Sequence, residues 1–259
     1  MPDPTTPEVT APADDHSFAP DRPVTLDRRD GPYGEVVLRK RPSTHDGGDI
    51  HEIIANGTFL MDTSDGRSER LLIDAAQAAL APRRRDGLPS LLIGGLGVGF
   101  SLAHAAADDR WGRIVVVERE QAVIEWHHAG PLARISGAAL GDPRTVILHT
   151  DLVGYIRTAT EVIDRPAEHT DRYDALCLDI DNGPDWTVTD DNASLYTPGG
   201  LAACLARLNP GGVLAVWSAR PSPGFEQALR NAGFTGVRTE EIQVARGVPD
   251  VVHLAVRPA

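Results

Sequence analysis

Cysteine is scarce: the 259 residues contain two, Cys177 in an apolar strand-like run and Cys204 in a helix-like run. So few exclude a disulfide framework, and neither sits at metal-ligand spacing, so both read as buried thiols of a reducing compartment. His127, His128 and His149 also lack the spacing of a metal site and read as structural or surface residues. No apolar stretch approaches the length of a bilayer span, and no basic segment followed by an apolar core opens the chain. Membrane insertion and export are therefore not expected, and the protein reads as cytoplasmic. Positive charge is short as well. Twenty-five basic residues stand against 37 acidic ones, a net charge of −12. That balance disfavours nucleic acid or an acidic membrane surface as a partner and suits a cationic small molecule.

What is present is apolar material, 41% of the residues, enough for one large α/β domain with a small appendage or for two modest domains. Residues 1–21, rich in Pro, Thr and Asp, carry no periodic apolar signal and are expected to form a disordered tail. Residues 22–67 are expected to form a small antiparallel β unit, from "GEVVLRKR", the turn "THDGGD" and "IHEIIANGTFLMD" with its Asn56-Gly57 hairpin signal. From Ser68 the period becomes helical, with Leu71, Leu72, Ala75, Ala76, Ala79 and Leu80 on one face. The arginine run Arg83-Arg84-Arg85 after it reads as a solvated face. Within 68–259 the pattern then predicts strands over 90–94, 113–118, 144–149, 173–179 and 212–218. Helices are predicted over 98–108, 120–129, 152–163, 193–207 and 222–232. Two more strands, in "FTGVRTEEIQVA" and "DVVHLAVRP", are expected to complete one sheet edge in antiparallel fashion. The fold class is α/β, a Rossmann-like parallel sheet covered on both faces.

In such sheets ligands sit outside the carboxyl ends of the strands, so the residues after each strand carry the chemistry. After the first, "GGLGVG" places Gly94, Gly95, Gly97 and Gly99 where bare backbone admits a nucleoside and its tail. The second ends on Glu118, whose two oxygens suit a pair of ribose hydroxyls. The third leads to Asp151, which either accepts from an adenine amine or caps the helix beginning at Leu152. The fourth opens into "LDIDNGPDW". Asp179 and Asp181 are candidate catalytic acids there, or members of a solvated turn, and Asp185 and Trp186 are candidate substrate contacts.

From Gly34 to Gly212 these residues resemble the spermidine synthases and spermidine synthase-like proteins within the class I S-adenosylmethionine-dependent methyltransferase fold. The resemblance rests on "LLIGGLGVG" followed by "VVVERE", "GDPRTVILHTD", "YDALCLDIDNGP" and "LNPGGVLAV". It implies that Glu118 holds the ribose, Asp151 contacts the adenine and Asp179 faces an attacking amine. It also implies a small-molecule amine substrate and a homodimer formed through the N-terminal β unit. Three departures stand out. Family aminopropyltransferases read G-G-G-D-G-G, with the Asp on the amino group of decarboxylated S-adenosylmethionine, where this chain has Gly97. They carry a Tyr-His pair where this chain reads "SERLLIDAA". Their acid loop, D-S-x-D-P-x-G-P, is shortened here, so Asp179 aligns directly and Asp181 with one gap. A carboxylate at position 97 repels a donor that bears its own, whereas glycine leaves backbone amides to receive it. The leading expectation is therefore methyl transfer from intact S-adenosylmethionine to an amine or another small nucleophile. Aminopropyl transfer from the decarboxylated donor is the alternative. Amino-carboxypropyl transfer, cyclisation of the donor and a non-catalytic nucleoside-binding protein follow it.

Overall fold

The computed structural model describes residues 22–43, 48–80, 87–158, 172–187, 190–242 and 248–259. The expected tail 1–21, the run Arg83-Arg84-Arg85 and the last residues of the helix predicted over 152–163 lie outside them.

The first sheet is a meander of four antiparallel strands, β1 (Val24–Gly31), β2 (Gly34–Pro42), β3 (Asp49–Ala55) and β4 (Thr58–Asp62), paired in chain order. β3 and β4 turn at Asn56-Gly57, with φ of 50° and 76°, the left-handed geometry a two-residue hairpin turn requires. Val36, Leu38 and Ile53 join the main core. Arg41 bridges Glu52 and Asp62, each at 2.7 Å, and so clamps β2, β3 and β4 together.

Helix α1 (Arg67–Ala79) leads to a second sheet of seven strands: β5 (Ser90–Gly94), β6 (Arg113–Glu118), β7 (Thr145–His149), β8 (Tyr173–Leu178), β9 (Leu208–Ser218), β10 (Thr235–Ile242) and β11 (Asp250–Val256). Their order is β10-β11-β9-β8-β5-β6-β7, with β11 antiparallel between β9 and β10 and the other five mutually parallel. The period of two along each strand divides the core. Leu91, Ile93, Ile114 and Val116 face α1, α2 (Phe100–Ala106), α3 (Gln121–His128) and α4 (Ala133–Leu140). Leu92, Val115, Val117 and Leu176 face α5 (Leu152–Arg157), a short α6 (Asp190–Ala193), α7 (Pro198–Arg207) and α8 (Pro223–Asn231).

The elements depart from the sequence pattern in four places. The helix predicted from 98 begins at Phe100, because Gly97 and Gly99 hold φ of 51° and 95°, outside the helical region. The helix predicted over 193–207 breaks at Thr197, whose extended backbone lets its hydroxyl cap α7 by accepting from Gly200 N–H at 3.2 Å. The eight-residue α4 is absent from the predicted set; it is short and contains Gly137. On α1 the buried residues are Leu72, Ile73, Ala75 and Ala76, so Ile73 joins the expected face while Leu71, Ala79 and Leu80 pack against the same core partly buried.

Candidate active site

The chain leaves β5 toward β6 and β7 on one side and returns to β8 and β9 on the other. A crevice therefore opens where β5 and β8 end side by side, with Asp179 N–H donating to the Gly94 carbonyl at 3.0 Å. The four-stranded sheet closes this crevice into a cavity of about 700 Å³, lined by residues of both sheets. One bond that holds the small sheet in place runs from the Trp126 indole N–H of α3 to Asp27 of β1 (2.9 Å).

The glycines of the first turn are required by the chain's own packing. A Cβ on Gly94 would lie 2.5 Å from Leu152, on Gly95 2.6 Å from the Asp179 carbonyl oxygen, on Gly97 2.3 Å from Met61 Sδ, and on Gly99 2.8 Å from the His127 ring. Gly95 and Gly97 line the cavity; Gly94 and Gly99 do not. His127 is buried and spans the Gly97 carbonyl oxygen (2.8 Å) and the Ser136 hydroxyl (2.5 Å), a structural tie that fixes the turn. Burial pushes its imidazole pKa down. The Val98 amide, at the turn's apex, donates to Met61 Sδ at 3.1 Å. The Val98 amide, one of those expected to receive a donor carboxylate, is thus already taken.

At the end of β6, Glu118 is buried on the cavity wall. Its Oε2 accepts from Leu96 N–H (2.9 Å) and its Oε1 from Glu120 N–H (2.8 Å). Burial raises its pKa, and the two amides oppose that rise. A carboxylate has about four acceptor positions, so each oxygen keeps one for a ligand hydroxyl. Asp151 lines the same end of the cavity and caps α5, its Oδ2 accepting from Gly154 N–H at 2.6 Å. The cap reading of Asp151 is thus realised, on one oxygen. The arginine of "GDPR" works away from the cavity: Arg144 donates to the carbonyls of Ala106 (2.5 Å), Asp108 (2.9 Å) and Trp111 (3.0 Å), closing the end of α2 against the start of β7.

The acid loop after β8 is split. Asp179 lines the cavity with Ser101 Oγ–H donating to its Oδ2 (3.3 Å), and burial raises its pKa to about 6. Asp181 also lines it, held at a left-handed φ of 54° with its carboxylate accepting from Asn192 Nδ2–H at 2.9 Å. Trp186 lines the mouth, 54% exposed. Asp185 is exposed and is not among the lining residues.

Sequence reasoning missed Glu69. It lines the cavity from the first turn of α1, and burial together with the charge of Asp179 raises its pKa to about 8. The signal was present, because positions 69, 72, 73 and 76 share one helix face. Glu69 therefore lies in line with the apolar stripe that α1 turns to the core. Met61, Trp217 and Asp250 also line the cavity unpredicted. Among the described lining residues Arg119 is the only cation, against nine carboxyl side chains drawn from six elements or their ends.

The sheet order, with an antiparallel β11 next to the edge, and the small antiparallel sheet beside it define a Rossmann-like α/β fold, the fold of solved spermidine synthases. Among solved structures the chain is similar to a spermidine synthase in complex with the transition state analogue AdoDATO, at a TM-score of 0.67 and 18% identity over 90% of this chain and 73% of that one. It is similar also to spermidine synthase from Thermotoga maritima, at 0.65 and 17% over 90% and 72%. No family model matches the chain, and no curated protein matches its sequence. At these identities the likeness establishes the shared fold, and activity is argued from the site.

Proposed function

We propose that the protein is a transferase that moves the aminopropyl arm of decarboxylated S-adenosylmethionine onto a small-molecule amine. The observation that carries this reading is the pair Glu69 and Asp179 on the wall of a cavity with a single lining cation among the described residues. Burial opposes ionisation of both carboxyls, a positively charged ligand relieves that cost by pairing with their ionised forms, and a donor bearing its own carboxylate adds to it. A decarboxylated donor brings a sulfonium and an ammonium instead. The solved neighbour with AdoDATO bound supports the same choice.

The cavity fits such a donor. Glu118 offers two acceptor positions to vicinal hydroxyls, Asp151 follows the next strand, and Gly95 and Gly97 line the cavity between them and Asp179. The donor supplies a carbon made electrophilic by its sulfonium. The amine nitrogen forms a bond to that carbon as the C–S bond breaks, and the electron pair leaves on a neutral thioether. The proton lost from nitrogen passes to the carboxylate at Asp179, while Glu69 shares the charge of the pair.

Methyl transfer from the intact donor is the second reading, favoured by the lack of a carboxylate at Gly97. The two separate on product analysis. Incubation with the decarboxylated donor and a panel of primary amines should release methylthioadenosine in step with an aminopropylated amine. Absence of both, with methylated amine formed from the intact donor, overturns the proposal.

A further inference from the structure

We infer that Met61 determines which donor is accepted, by occupying the backbone amide that a donor carboxylate would need; this rests on the aminopropyl-transfer reading. Three observations converge on one point. Met61 Sδ accepts from the Val98 amide at 3.1 Å, the side chain lines the cavity, and it fills the space that any side chain at position 97 would enter, 2.3 Å from an ideal Cβ. Gly97 itself lines the cavity at φ 51°, and the Val98 amide that follows it is directed at the Met61 sulfur, so Met61 stands between that amide and the cavity. A sulfur lone pair is a weak acceptor, adequate for a neutral N–H and repulsive to a carboxylate. A carboxylate placed there would lose water, find its donor taken, and share the cavity with the Asp179 carboxylate. An ammonium loses nothing by the same arrangement, because it needs acceptors, and the Asp179 carboxylate and the Glu69 carboxyl oxygens line the same cavity. Selectivity thus arises by making one donor's tail unpaired rather than by gripping the other.

Glycine at 97 and methionine at 61 are also mutually dependent. An acid in the turn would have to displace Met61, and Met61 in turn makes that acid unnecessary for rejecting a carboxylated donor. The absence of an aspartate from "GGLGVG" is in this view compensated from β4, a strand of the other sheet.

Calorimetry with both donors on the wild type and two variants tests this. Met61→Leu keeps the volume and removes the acceptor, so the Val98 amide becomes available. Its ratio of dissociation constants, intact over decarboxylated, should fall about tenfold from the wild-type value, the worth of one charge-assisted hydrogen bond. Met61→Gln restores an oxygen acceptor beside the amide and should keep the wild-type ratio. An unchanged ratio in Met61→Leu, or an equal fall in both variants, overturns the role of Met61 while leaving the donor reading intact. A wild type that binds the intact donor as tightly as the decarboxylated one overturns both.

Discussion

The charge of Asp179, at the end of β8, reaches Glu69 on the first turn of α1 and, with burial, keeps the Glu69 carboxyl protonated well above the ordinary range. Both groups have raised folded pKa values, about 8 and about 6. A carboxyl whose pKa rises on folding stabilises the protein while it is protonated, below its unfolded pKa. That contribution is lost as pH rises toward the folded value. The ligand-free protein should therefore lose thermal stability between about pH 4.5 and pH 8, and Glu69→Gln should flatten that slope by several degrees in Tm. A Glu69→Gln profile parallel to the wild type would contradict the pairing.

Glu118→Gln should weaken donor binding and also lower stability, each by about 1–3 kcal/mol. Glutamine has one acceptor oxygen where Glu118 uses two, so either Leu96 or Glu120 N–H is left unpaired. Calorimetry and thermal melting on the same variant check this; loss of affinity with an unchanged Tm would show that the backbone bonds carry little.

Asp151→Ala should cost about 1 kcal/mol through loss of the α5 cap, and Asp151→Asn a few tenths, since asparagine also caps. If Asp151 also meets the adenine amine, donor affinity falls in both variants, because an amide is a poorer acceptor for that contact than a carboxylate. Equal donor affinity in the wild type and the Asp151→Asn variant would confine Asp151 to the cap.

Gly97→Asp should destabilise by about 1–3 kcal/mol, because the new Cβ meets Met61 Sδ. Combined with Met61→Ala the loss should be less than the sum by at least about 0.5 kcal/mol, as expected of residues in contact. Strict additivity would deny the contact.

Much of this was legible in the chain. Strand ends at Gly94, Glu118 and Asp179 could be read because a parallel sheet needs near-continuous apolar runs, and a charged or glycine residue marks where each run leaves the core. Glu69 and Met61 were not read, for different reasons. Glu69 sits on an apolar helix face, so its carboxylate is visible only to someone asking where that face points. Met61 belongs to a strand of the other sheet, and its meeting with Gly97 depends on how two sheets pack, which no local period records. The roles of Arg144 and His127 were hidden likewise: each ties together segments about 30 residues apart through backbone carbonyls.

The most direct measurement offers the protein equal concentrations of intact and decarboxylated S-adenosylmethionine with a primary amine, and reads the product by mass spectrometry. The account predicts that the amine gains an aminopropyl group, with methylthioadenosine as the nucleoside product. An amine that gains a methyl group, with S-adenosylhomocysteine formed beside it, would contradict it.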